Sequence, residues 1–322
     1  MRIVTCYPVE QRHLEQLQAA APGHTVVDAW PDRITREILD ADVFLGHAKV
    51  PVPWEDVVRQ GRLRWIQSSA AGMDHCLVPA VIASNILVTS ASGLFANPVA
   101  EQTLALTLGL LRGLPTFFRA QQRREFIRRP TRDLHGATVG IIGLGGNGRR
   151  IAEVLVPYGC RILATDLFPV DPPPTVERLD PADSLDQILP LVDILILCVP
   201  LNDQTEGLID ARRLALMKPG SLLINVARGP VVRERDLVAA LASGHLAGAG
   251  LDVTEVEPLP VDSLLWDHPQ VIITPHVGAQ SVRRADVTTD FLAANLARYV
   301  AGQPLVNVVD KQLGFPRRVA KT

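Results

Sequence analysis

The chain of 322 residues is 47% apolar and 20% charged, with a net charge of −2 at neutral pH. That length exceeds one small core and suits two domains of ordinary size. The near-balanced charge and high apolar content exclude both a disordered chain and a dedicated nucleic-acid surface.

The first residues, "MRIVTCYPVEQRH", hold a short apolar run that soon turns polar, unlike a signal peptide. No uninterrupted run reaches the roughly 18 apolar residues of a membrane span, so a cytoplasmic protein with no membrane partner is expected. Cys6, Cys76, Cys160 and Cys198 lie far apart, without spacing that would wrap a zinc ion. They read as reduced core thiols, and no metal is expected.

Short apolar runs then alternate with helical stretches: "RIVTCY", "HLEQLQAAA", "HTVVDAW", "TREILDA", "DVFLGH", "LRWIQSS" and "NILVTS". Such alternation predicts a parallel sheet covered by helices. "NPVAEQTLALTLGLLRGL", Asn97 to Leu114, reads as one long buried helix with Asn97 at its cap and Pro98 at its first position. The arginine-rich stretch from Arg119 to Asp133 reads as a solvated helix end and loop.

A second series follows: "ATVGIIG", "RILATD", "VDILILCVP", "SLLINVA", "LAGAGLDV" and "VIITPH". Runs apolar at every position, such as "DILILCV", are what strands covered on both faces require. "SVRRADVTTDFLAANLARYVAG" closes the chain as an amphipathic helix. The fold class is therefore α/β, with two doubly wound parallel-sheet domains.

"TVGIIGLGGNGRRIA" sets Gly143, Gly145 and Gly148 between an apolar strand and a helix. Gly143 allows the tight turn, Gly145 lets backbone approach a pyrophosphate, and Gly148 lets helix and strand pack closely. The helix N-terminus offers N–H groups and a positive dipole end to phosphate. Asp166, 18 positions after Gly148, ends the next strand. Its carboxylate suits two ribose hydroxyls and repels a 2′-phosphate, which favours NAD over NADP.

These motifs, with "NPVAEQTLAL", "CVPLNDQTEGLI", "MKPGSLLINVARGPVV", "AGLDVTEVEPLP" and "ITPHVGAQS", occur in an order that resembles the D-isomer-specific 2-hydroxyacid dehydrogenases across nearly the whole chain. The resemblance implies a flavodoxin-like substrate domain from 1–97 and 284–322. It implies a Rossmann cofactor domain over 98–283, a cleft between the two, and a homodimer. It assigns Arg228 to the carboxylate of a 2-hydroxy or 2-oxo acid, His276 to proton transfer, and Glu257 to the second ring nitrogen of His276.

The chemistry of those residue types agrees. A guanidinium offers a fixed fork of donors to a planar carboxylate, and an imidazole titrates near neutrality. A carboxylate beside an imidazole fixes its tautomer. Glu255 competes with Glu257, which is preferred because it immediately precedes proline. Backbone N–H groups near Ala71 and Gly72 are expected to complete the anion cradle.

Asp252 resembles the family aspartate at the nicotinamide carboxamide. Cys198, Val199, Pro200, Val226 and Ala227, with Gly146, Asn147 and Gly278, are expected to line the cofactor site. Asn97 is a substrate-side candidate, with capping the simpler role. Pro275 is expected to end the last strand, and Gly278 to turn the chain away behind His276.

Three features depart from the family pattern: Asn147 in the phosphate loop, the loop "SSAAGMDHC" without the usual glycine-rich form, and an arginine-rich approach to "LHGATVG" without its tryptophan. They bear on which acid is bound. Formate dehydrogenase relatives carry glutamine where Glu257 stands. Phosphite dehydrogenases keep the three assigned residues, and NAD-sensing corepressors offer the alternative of a binding module.

Overall fold

The computed structural model describes residues 1–48 and 50–317. They form two compact units, Met1–Leu94 with Ser281–Arg317, and Phe95–Gln280. Each crossing falls three residues before the expected one, 94 against 97 and 280 against 283. Residues 318–322, assigned on sequence to the first domain, lie outside the described residues.

In the first unit, β1 (Arg2–Cys6), β2 (Thr25–Asp28), β3 (Val43–Gly46), β4 (Trp65–Ser68) and β5 (Leu87–Thr89) make a parallel sheet in the order β2-β1-β3-β4-β5. Every residue of β3 and β4 is buried, because both faces are covered. Val4, Phe44 and Ile66 pack on one side with Trp54, Val57 and Val81. Ile3, Leu45 and Trp65 pack on the other with Leu292 and Leu296 of the helix Arg284–Val300.

The second unit holds β6 (Thr138–Ile142), β7 (Arg161–Asp166), β8 (Arg178–Pro181), β9 (Ile194–Leu197), β10 (Ser221–Asn225), β11 (Leu246–Leu251) and β12 (Val271–Ile273). They are parallel, in the order β12-β11-β10-β9-β6-β7-β8. The chain runs outward from β6 through β7 to β8, then returns to lay β9 against the other side of β6. Such a reversal leaves a crevice at the carboxyl ends of the strands, the usual place for a ligand in an open α/β sheet. β8 is absent from the sequence reading because "RLDP" has a single aliphatic residue and follows a proline-rich loop.

The long apolar helix differs from expectation at both ends. It spans Ala96–Leu111 with Phe95 at the N-cap and no side-chain cap, so Asn97 lies inside the first turn and is not the cap. Pro98 occupies the third helical position, where an N–H has no intrahelical partner to lose. Gly113, at φ 69, breaks the run, and a second helix, Leu114–Gln122, follows. The first helix packs within its own unit, against β10, β11, β12 and the helix Gly146–Leu155.

The arginine-rich stretch is exposed and engaged locally. Arg112 pairs with Asp133 at 2.9 Å, Arg123 with Glu125 at 2.8 Å, and Arg119 and Arg132 each donate to a carbonyl at 2.7 Å, on Pro269 and Gly220. All four cysteines are free, and burial pushes the thiols of Cys76 and Cys198 up to about 12, so neither is a thiolate at neutral pH. Among the described residues no helix is long and apolar enough to cross a membrane, and no cluster of His, Cys, Asp or Glu could hold a metal ion.

Candidate active site

The phosphate loop sits at the switch point. Gly143 takes φ 91 at the end of β6, and a Cβ built on it would meet Cys198 and Val199 backbone atoms at 3.0 Å. The loops after β6 and β9 thus touch, which brings Cys198, Val199 and Pro200 beside the glycines. A Cβ on Gly148 would run into the carbonyl of Gly143, so only glycine lets the helix start this close to the strand.

Gly145 differs in kind. Its φ of −70 and ψ of −159 suit any residue, and a Cβ there meets no protein atom within 4 Å. The protein's own packing does not require glycine at that position. With the first-turn N–H groups of Gly146, Asn147 and Gly148, it forms a cradle that a side chain would fill and a phosphate group fits.

Asp166 closes the loop from the next strand. Its Oδ2 accepts from the Leu144 N–H at 2.6 Å and its Oδ1 from the Phe168 N–H at 2.9 Å. Each carboxylate oxygen has a second acceptor site, so ribose hydroxyls still have somewhere to donate.

β10 delivers Arg228. Buried Asn225, its last residue, accepts from the Ala227 N–H and donates to the Arg228 carbonyl, both at 3.0 Å, folding "NVAR" back over the strand end. Arg228 is half-buried in extended backbone, and its Nη1 donates to the Ala227 carbonyl at 2.7 Å. A Cβ on Gly229 would overlap the Thr254 carbonyl. The loop carrying Arg228 is therefore pressed against the loop carrying Glu257. Asn225 is a positioning residue the sequence reading missed; an amide at a strand end gives no periodic signal.

β11 and β12 deliver the acid and the histidine. His276 Nδ1 lies 2.9 Å from Glu257 Oε2, and Glu257 Oε1 accepts from the Thr254 N–H at 3.2 Å. Glu255 instead accepts from the Glu234 N–H, so Glu257 is the carboxylate that faces the ring. A carboxylate only accepts, so Nδ1 carries the hydrogen, and in the neutral ring Nε2 has the lone pair. The two side chains are 46% and 40% exposed, which limits the pair to about 1 kcal/mol of stability. Its consequence is orientation of the ring.

The path around the histidine has two parts. β12 ends at Ile273, ahead of Pro275, and the left-handed residue is His276 itself at φ 54. Gly278 then sits in the turn that the Gln280 N–H closes on the Val277 carbonyl at 2.7 Å, and a Cβ on it would also lie 2.7 Å from Asp252 Oδ2. Asp252, 3% exposed, accepts from the Thr274 hydroxyl (2.6 Å), the Val277 N–H (3.0 Å) and the Gly278 N–H (2.8 Å), while its backbone carbonyl accepts from the His276 N–H at 2.8 Å. The aspartate expected at the nicotinamide is thus also the anchor of the histidine turn.

Val226 and Ala227 follow β10 on the same edge of the sheet. In the first unit, Ala71 and Gly72 follow β4, in a loop begun by Ser68, whose Oγ accepts from the Ala70 N–H at 2.9 Å. Asn97 lies in the first turn of the helix Ala96–Leu111.

A family model described as D-isomer specific 2-hydroxyacid dehydrogenase, NAD binding domain, matches residues 104–278. Glycerate dehydrogenase from Methylorubrum extorquens is 32% identical over 87% of this chain and 89% of its own length. D-3-phosphoglycerate dehydrogenase from Mycobacterium tuberculosis is 31% identical over 90% of this chain, which spans 56% of that longer protein. A solved D-isomer specific 2-hydroxyacid dehydrogenase from Xanthobacter autotrophicus Py2, in complex with NADPH and MES, superposes with a TM-score of 0.84 at 31% identity, covering 97% of this chain and 99% of that one.

The chain belongs to the D-isomer-specific 2-hydroxyacid dehydrogenase family, whose members named here are nicotinamide-dependent oxidoreductases.

The two glycines separate packing from ligand approach. Gly148→Ala should lower stability by about 2 kcal/mol or more, since backbone must shift to admit the methyl group. Gly145→Ala should leave the unfolding midpoint in place and weaken NADH binding about tenfold or more, or about 1.4 kcal/mol. Urea unfolding and fluorescence titration with NADH check the pair.

Proposed function

We propose that this protein transfers a hydride between a nicotinamide and a small D-2-hydroxy acid, interconverting the acid with its 2-oxo form. The observation that carries the reading is the 2.9 Å contact of His276 Nδ1 with Glu257 at the carboxyl edge of the sheet. It leaves Nε2 as the ring's available base, next to the loop of Arg228.

In oxidation, Nε2 takes the hydroxyl proton as the carbonyl forms, and the Glu257 carboxylate stabilises the resulting imidazolium. In reduction, the same nitrogen returns the proton. Arg228 holds the substrate carboxylate through its fork of donors, fixing which hydrogen faces the cofactor. A bound nicotinamide supplies the hydride acceptor or donor. Val226, Ala227, Cys198, Val199 and Pro200 would border such a nicotinamide, and Asp252 would be the group offered to its carboxamide.

Glu257 supports a hydroxy acid over formate, because only the former releases a hydroxyl proton. Asp166 supports NAD as the preferred cofactor, although similar solved proteins hold NADP or NADPH. On the family likeness we take the protein to act as a homodimer in the cytoplasm; sedimentation of the purified protein tests the dimer.

His276→Asn is the informative variant, since asparagine tolerates positive φ. It should reduce kcat about a thousandfold, and Glu257→Gln about ten- to a hundredfold, with NADH affinity unchanged. Turnover is measured as NADH consumption with 2-oxo acids from glyoxylate to branched-chain and phosphorylated members. Wild-type rates in His276→Asn would sink the reading.

Asp166→Asn removes the charge and keeps one acceptor for the loop. The ratio of kcat/KM for NADPH over NADH should rise about tenfold, or about 1.4 kcal/mol. An unmoved ratio would take cofactor choice away from Asp166.

A further inference from the structure

A chain of hydrogen bonds reaches the histidine turn from a residue outside the motif that contains it. Gln102, half-buried in the second turn of the helix Ala96–Leu111, donates through Nε2 to Thr274 Oγ1 at 2.8 Å, across 172 positions of sequence. Thr274 lies 2.6 Å from Asp252 Oδ1.

Chemistry fixes the direction of every bond. The ionised carboxylate of Asp252 only accepts, so the Thr274 hydroxyl must donate to it. The Thr274 oxygen then presents a lone pair to its other neighbour, and Gln102 must offer its NH₂ group, not its carbonyl.

The stem of Gln102 also lies near the far end of the same turn. A Cβ built on Gly278 would come 3.7 Å from Gln102 Cγ as well as 2.7 Å from the Asp252 carboxylate. One side chain therefore holds residue 274 by a hydrogen bond and borders the space beside residue 278. Between them stands His276, whose own N–H is bonded to the Asp252 carbonyl at 2.8 Å.

We infer that Gln102 is a positioning residue for His276, acting through Thr274 and Asp252 to hold the imidazole at the geometry proton transfer needs. The inference rests on the proton-transfer role of His276 proposed above. Without the Gln102 donor, the Thr274 hydroxyl is free to rotate away, and the Asp252 carboxylate keeps only its two backbone donors. The turn then loses its side-chain arm, and the ring it carries at a strained φ loses alignment. Misplacement of a reacting group by about 1 Å is enough to cost up to about a hundredfold in rate.

The test uses Gln102→Leu, which keeps helix propensity and an apolar stem as far as Cδ and removes the donor. The expected result is a kcat about tenfold lower, with NADH affinity, substrate KM and thermal midpoint close to those of the unaltered protein. Gln102→His should restore most of the rate, because histidine Nε2 stands the same number of bonds from the backbone and can donate.

Thr274→Val should lower kcat similarly, and the double variant Gln102→Leu/Thr274→Val should be no slower than the slower single one, as expected of two members of one chain. A Gln102→Leu protein with unaltered kcat, a loss that Gln102→His fails to recover, or additive losses in the double variant would each overturn the inference. Activity that survives His276→Asn would instead overturn the underlying reading. The two failures are thereby told apart.

Discussion

The site depends first on a buried charge. Asp252 is 3% exposed, and an ionised carboxylate at that depth is tolerable only if donors surround it. Those donors come from one place, the stretch 274–278, which wraps two backbone N–H groups and one hydroxyl around the two oxygens. The loop's path after β12 is dictated by that demand, and the position of His276 follows from the path. The exposed pair of His276 and Glu257 then needs little strength of its own. It orients a ring that the buried anchor has already placed.

The second constraint is topological. The residues of the candidate site come from loops far apart in sequence, after β6, β7, β9, β10, β11 and β12, yet parallel pairing sets all those strand ends on one edge. Reversal of strand order between β6 and β9 opens the crevice there. Two backbone approaches bind neighbouring loops together: Gly143 against Cys198 and Val199, and Gly229 against Thr254. Arg228 and Glu257 are neighbours because a glycine lets their loops meet.

Much of this was legible in the sequence because it is local. Apolar runs such as "DILILCV" announce strands covered on both faces, and the spacing of Gly143, Gly145 and Gly148 announces a strand, a turn and a helix. The choice of Glu257 over Glu255 rested on its neighbour proline, and the structure sets Glu257 against the ring.

What escaped is nonlocal or aperiodic. β8 has too few apolar residues to show itself. Asn97 was placed at a helix cap because its residue type suits one, yet the helix starts two residues earlier, at Ala96 behind Phe95. Gly278 lies in a turn as its residue type suggests, but that its missing side chain also makes room for the Asp252 carboxylate shows only in three dimensions. Gln102 and Thr274 meet only after folding, so no window of sequence holds both.

The backbone of His276 carries a cost of its own. At φ 54 it occupies the left-handed region, which any residue with a Cβ enters less readily than glycine does. The bonds from Thr274, Val277 and Gly278 to the Asp252 carboxylate must offset that preference of the main chain, so a change that removes one of them acts on the placement of the ring as well as on the buried charge.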